Sequence, residues 1–243
     1  MPDASRSLLA QSFTKPYPLT APMVLLMSLP PFYIFIGASM AGKKVHAPLL
    51  ALDRAIPLQP VWAIVYGTLL LFIVLPFVIL RDEAEIRRTS YAYLLLWLVS
   101  FAFFFAYPTA APHPPVVAGS GFFAWSLQRM YDADTPYNCF PSLHVAQSCL
   151  SAIVCHRVNR RLGAIAGVWA ALIAVSTLFT KQHYVADVLG GVLLAAIAWL
   201  LFLRGKPKDV QELDRRAAPM IAATLSGLYV LAIVGFRIAY AFA

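Results

Sequence analysis

Apolar runs long enough to cross a bilayer alternate with short polar stretches along the whole chain. A spanning helix needs about 20 mostly apolar residues, with about 17 as the lower limit. Leu19 to Met40 carries no charge, and Pro22, Pro30 and Pro31 should kink it or stagger its ends. Val61 to Leu80 comes next, and then Tyr91 to Tyr107, which is short, aromatic and stopped by Pro108. Ser142 to Val158 opens on a polar turn and ends before Asn159, Arg160 and Arg161. Leu162 to Thr180 is uninterrupted, Val185 to Leu203 carries one acid, Asp187, near its start, and Ala217 to Ala243 is apolar apart from Arg237. The pattern predicts an all-α, polytopic transmembrane helix bundle of about seven spans.

Composition supports this reading. The 243 residues are 60% hydrophobic and only 12% charged, with a mean hydropathy of +0.72. Average soluble chains carry about 25% charged residues, so roughly half of the usual solvating surface is missing. The net charge of +8 would point to nucleic acid in a soluble chain. In a membrane protein, cytoplasmic loops collect Lys and Arg for topological reasons, so no nucleic-acid partner is expected. Cys139, Cys149 and Cys155 show neither C-x-x-C spacing nor an even count, which argues against a disulfide framework or a zinc ribbon. There is no internal repeat and no long linker, so residues 1–243 are expected to form one integral membrane domain. The first apolar run is too long for a signal-peptide core and is expected to be retained.

Alternate loops differ in charge. One side gathers Arg6, Lys15, Arg81, Arg87, Arg88, Arg157, Arg160, Arg161, Arg204, Lys206, Lys208, Arg215 and Arg216; the other has Lys43, Lys44, Arg54, Arg129 and Lys181. That asymmetry places the N-terminus in the cytoplasm and the loops after the third and fifth spans outside, or in a lumen. The first of these loops, Pro108 to Pro141, contains Gly121 to Tyr131, whose aromatic residues suit an interfacial helix or a lid over a lipid entrance.

Ionisable groups at a membrane boundary are costly, and two clusters of them fall in these outer loops. The first runs Asn138-Cys139-Phe140-Pro141-Ser142-Leu143-His144. Pro141 suits the first turn of a helix, where Ser142 and His144 would project beside unpaired amides able to bind phosphate. The second runs Lys181-Gln182-His183-Tyr184-Val185-Ala186-Asp187. His183 and Asp187 are spaced i,i+4, so on a helix the carboxylate can accept the ring N–H and make the other nitrogen more basic. The outward parity of both loops puts the two clusters at one leaflet.

Phe140-Pro141-Ser142-Leu143-His144, followed across a helical hairpin by His183-Tyr184-Val185-Ala186-Asp187, resembles the type 2 phosphatidic acid phosphatase superfamily of lipid phosphatases and phosphotransferases. The resemblance covers roughly residues 91–203, the expected catalytic part, and implies a six-helix phosphatase-type core with one extra terminal span. It implies a phosphohistidine mechanism with no metal or other cofactor. His183 would be the nucleophile, Asp187 its orienting partner, His144 the general acid and Ser142 a phosphate ligand. The substrate would be a lipid-linked phosphate ester, met among membrane lipids.

Two departures from the family pattern are plain. The first motif, a Lys followed by Arg-Pro, is absent, with His113-Pro114 and Ala106 in its place, and the Ser-Arg of the third motif reads Ser176-Thr177. Lys181, His113 and Arg129 are the candidates to replace the missing phosphate-binding cations. Leu143, Thr177 and Tyr184 resemble the branch containing the fungal inositol phosphorylceramide synthases, which implies a lipid hydroxyl as an alternative acceptor to water. Other readings of the same residues are a zinc site built from His144, His183, Asp187 and His113, a proton-relay transporter, and an inactive lipid-phosphate binder.

Overall fold

A computed structural model describes residues 18–205 and 212–242. Arg6, Lys15, Lys206 and Lys208 of the charge count, and the polar N-terminal stretch, lie outside the described residues. The described chain is helical, and its one β-bridge pairs His46 with Thr109.

Six helical stretches are long and apolar enough to cross a membrane, which makes this a multi-pass membrane protein. The first is split into α1 (Ala21–Met27) and α2 (Pro30–Ser39), with prolines opening both halves. The short α3 (Ala51–Ala55) lies in the loop that follows. The second span joins a 3-10 turn at Pro60–Trp62 to α4 (Ala63–Gly67) and α5 (Leu69–Ile79), which meet at Thr68. The third, α6 (Glu83–Ala106), starts eight residues before the apolar run. Asp82 caps it by accepting from the Glu85 N–H at 2.8 Å, and Glu83 and Glu85 complement the positive end of the helix dipole. The outer loop forms α7 (Phe122–Ala133), and the later spans are α9 (Arg160–Phe179), α10 (Val185–Ala198) continued by a π-helical turn at Trp199–Leu203, and α11 (Glu212–Ala241).

The fourth expected stretch, the one not among these six, becomes α8 (Leu143–Val158), which at 16 residues rises only about 24 Å. It is the centre of the bundle, packed against α5, α6, α9 and α10. Its buried face includes Gln147, Ser148 and Ser151. A polar face in an apolar interior is tolerated because partners are supplied. Tyr93 Oη lies 2.6 Å from Ser151 Oγ, Ser151 also donates to the Phe72 carbonyl, and Ser148 donates to the His144 carbonyl at 2.9 Å.

At the end opposite the His motifs, Arg157 in the last turn of α8 reaches Glu85 at 2.7 Å. The Glu85 side chain is only 3% exposed. The same guanidinium donates to the Leu203 and Gly205 carbonyls, left open where α10 ends in its π-helical turn. One cation therefore ties α6, α8 and the end of α10 together. Breaking a buried pair from one side costs about 3–5 kcal/mol. Glu85→Gln should therefore lower the unfolding midpoint in detergent by several degrees, and an unchanged midpoint would show the clamp contributes nothing.

Candidate active site

The two histidine motifs meet at the start of α8 and the junction of α9 with α10. Helix α8 begins at Leu143, with Ser142 as its N-cap and Pro141 one residue before the cap instead of inside the first turn. Ser142 Oγ accepts from the Val145 N–H at 3.2 Å, and the Ser142 N–H donates to the Asp187 carbonyl at 3.0 Å. That last bond joins the motifs directly. Helix α10 can approach so closely because of two glycines: a Cβ on Gly191 would lie 2.5 Å from the Ser142 carbonyl oxygen, and one on Gly190 would lie 2.9 Å from the Phe140 ring.

The turn before α10 is held from three sides. The Gln182 and His183 N–H groups both donate to the Thr177 carbonyl, at 2.9 and 3.2 Å. Lys181 adopts a left-handed backbone with φ of 55°. Its ammonium donates to the carbonyls of Ile56 at 2.5 Å and Asp53 at 3.2 Å. Asp53 in turn accepts from the Val185 N–H at 2.8 Å and from the Leu50 N–H at 2.7 Å. Lys181 thus pins the motif turn to the α3 loop, while Asp53 serves an orphan amide of α10.

The central contact is between the two rings: His144 Nδ1 lies 2.9 Å from His183 Nε2. His183 is buried and His144 partly exposed. On the far side, His183 Nδ1 faces Asp187 Oδ2 at 3.4 Å, an ion-pair distance without hydrogen-bond geometry. Asp187 is fully buried, and its Oδ2 accepts from the Tyr184 N–H at 2.8 Å while Oδ1 has no partner. Behind His144, the Tyr66 hydroxyl lies 3.3 Å from Nε2. Imidazole, imidazole and carboxylate therefore stand in line, with one ring nitrogen on each histidine turned toward the other.

The remaining sequence candidates stand around this line and are engaged elsewhere. His113 stacks on Tyr131 at 4.1 Å between ring centroids, and the Tyr131 hydroxyl donates to the Thr180 carbonyl at 2.5 Å, so α7 is docked on the motif turn. Arg129 is largely exposed and pairs with Asp132 at 3.4 Å. Leu127 on the opposite face of α7 is fully buried, packed with Ala63, Val117, Ala124 and Tyr131.

Several residues of the site carried no sequence signal. Tyr66 sits inside an apolar span, and Asp53 in the short α3 between the first two spans. Asp134, at the end of α7, accepts from the Tyr33 hydroxyl at 3.4 Å. Burial raises its carboxyl above the usual range, against the Thr135 N–H, the Tyr33 hydroxyl and the nearby His183 and His113, all of which favour the charged form. Burial, with Asp187 and Asp134 nearby, pushes the Cys139 thiol well above its ordinary value. The donor set that the fold draws together for a metal is Cys139, His183 and Asp187, whose ligand atoms lie within 4.8 Å of one another. It differs from the four residues grouped by sequence, since His144 meets the other ring and His113 meets Tyr131.

Comparison with protein families matches the PAP2 superfamily over residues 39–201, about two thirds of the chain. The chain belongs to the PAP2 superfamily, whose members are generally phosphatases and phosphotransferases. Comparison with curated proteins and with solved structures gives no match. The matched segment contains both histidine motifs.

The close approach of α10 to Ser142 has a measurable consequence. Gly191→Ala inserts a methyl against a backbone carbonyl that has little room to retreat, and overpacking of this kind costs about 1–3 kcal/mol. The variant should unfold at lower temperature and lose the seating of His144 against His183. A melting curve and activity equal to wild type would disprove that close packing.

Proposed function

We propose that this chain is a metal-independent membrane enzyme that cleaves a lipid-linked phosphate ester through a phosphohistidine on His183. The observation that carries the reading is the 2.9 Å approach of His183 Nε2 to His144 Nδ1, with Asp187 behind the first ring. Nε2 of His183 attacks phosphorus, the ester P–O bond breaks, and His144 gives its proton to the departing lipid oxygen. The acceptor then loses its proton to His144 and attacks, the P–N bond breaks, and His183 is restored. Asp187 fixes the ring's tautomer and stabilises the imidazolium character that develops on it. A phosphoryl group must part the two rings to bind, and apo contacts of this kind commonly rearrange in the loaded site.

Ser142 and the amides at the start of α8 are the phosphate ligands closest to the histidines in the chain. A helix N-terminus provides donors and a favourable dipole for an anion. Lys181, His113 and Arg129 would serve the phosphate only by giving up the carbonyl, ring and carboxylate contacts described above. The active site would face the extracytoplasmic side, with the N-terminus in the cytoplasm, on the strength of the loop charges.

Water is one acceptor. A lipid hydroxyl is the alternative, favoured by Leu143, Thr177 and Tyr184, which resemble the inositol phosphorylceramide synthase branch. Purified protein in detergent with chelator, offered a panel of lipid phosphates, should release free phosphate if it is a phosphatase. It should make a new phospholipid only with an added hydroxyl lipid if it is a transferase.

His183→Ala should abolish both reactions, and full activity in that variant would refute the nucleophile. His144→Ala should slow turnover by about 10²–10⁴-fold, the usual worth of a positioned acid. Tyr66→Phe removes only a hydroxyl behind that acid and should cost much less. With a substrate whose leaving group needs no proton, the His144 variant should recover much of the lost rate, whereas the His183 variant should not.

A further inference from the structure

Cys139 is buried beside the catalytic line yet has no part in the proposed chemistry. Its Sγ, a His183 ring nitrogen and an Asp187 carboxylate oxygen form the one group among the described residues whose donor atoms could together hold a metal ion, all within 4.8 Å of one another. The group is buried, with His183 3% and Asp187 0% exposed. His183 Nδ1 and Asp187 Oδ1 are buried with no hydrogen-bond partner, and so is Asn138 Oδ1 on the residue before Cys139. Unpaired buried polar atoms are rare and costly. Two of them, on the residues grouped with the thiol, mark a place where a ligand would relieve that cost.

The spacing matches a particular chemistry. Around tetrahedral zinc, an imidazole nitrogen and a carboxylate oxygen at about 2.0–2.1 Å from the ion stand about 3.3 Å apart. His183 Nδ1 and Asp187 Oδ2 are 3.4 Å apart, too long for a good hydrogen bond and close to that edge length. Bringing Cys139 Sγ to about 2.3 Å from the same ion needs a contraction of the group by at most about 1.3 Å. A thiolate with one imidazole and one carboxylate selects a borderline-soft divalent cation over magnesium or calcium, which prefer all-oxygen sites.

We propose that Cys139, His183 and Asp187 form an inhibitory site for a thiophilic divalent cation of the Zn²⁺ class. Zinc would bond to Cys139 Sγ, releasing the thiol proton, and to His183 Nδ1 and Asp187, with the ring proton shifting from Nδ1 to Nε2, the atom that must attack phosphorus. It would thereby take from His183 the carboxylate that orients it and place a positive charge on the ring that must attack phosphorus. The site is distinct from a catalytic metal centre, since the cation sits on the side of His183 away from His144 and is not required for turnover. The inhibitory part of the claim rests on the reading of His183 as nucleophile; the binding part does not.

Two measurements separate these parts. Co²⁺ alone, added to the full-length detergent-purified protein, should give the near-ultraviolet thiolate-to-cobalt absorption band, displaced by Zn²⁺ and missing in both Cys139→Ala and Cys139→Ser. In the activity assay without chelator, Zn²⁺ should inhibit wild type reversibly. Both Cys139 variants should keep their basal rate and need about tenfold or more zinc for the same inhibition, as expected when a metal site loses a partner. A cobalt spectrum without a Cys139-dependent band would overturn the site, and so would equal zinc sensitivity in wild type and both variants. A band in wild type from protein inactive on every lipid phosphate would leave the metal site standing and remove the proposed function. Melting curves of the two variants identify any loss that comes from misfolding, and the serine variant keeps the side-chain size should the alanine one fail to fold.

Discussion

The hydrogen bond from the Ser142 N–H to the Asp187 carbonyl is the constraint on which the site depends. Residues 45 positions apart in sequence are joined there by backbone, so neither motif can shift without the other. Asp187 has two more tasks: its side chain accepts from the Tyr184 N–H and faces His183. A fully buried carboxylate is costly unless it is paired and hydrogen-bonded. Here one residue caps the first turn of α10 and faces the ring, and the absence of a side chain at Gly191 leaves room for the approach.

The rest of the bundle keeps that junction in place from a distance. Arg157 closes the opposite end of α8 against α6 and α10, and Ser151 of α8 finds partners on α5 and α6. Near the histidines, Lys181 works as a strut between the motif turn and the α3 loop, with its charge satisfied by carbonyl oxygens. Its left-handed backbone and carbonyl partners give this lysine a structural task.

Span positions were legible because apolar run length reports directly on bilayer thickness. The bounds were less so: α6 extends back to Glu83 since capping and the helix dipole, not hydropathy, set where a helix starts. Span parity pointed to a shared leaflet for the 140–144 and 183–187 motifs, while their contact comes from the packing of α8 against α10. The contributions of Tyr66, Asp53, Tyr33 and Asp134 were hidden, because each depends on tertiary contacts between segments at least 78 residues apart for Tyr66 and His144. The same is true of Cys139, whose spacing from the other cysteines carried no metal signal and whose spatial neighbours are the imidazole and carboxylate of the next hairpin.

The shortness of α8 reaches beyond the protein. Its about 24 Å rise falls short of a hydrocarbon core of about 30 Å, while the helices around it are longer. On the proposed reading, with Arg157 at the cytoplasmic boundary, Ser142 and both rings would lie below the plane of the outer headgroups. A lipid phosphate would then reach them only by sinking or where the leaflet dips locally, each at fractions of a kcal/mol per ångström of mismatch. Turnover would inherit a dependence on acyl-chain length and sterol content, and the thickness of the host membrane would become part of the selectivity.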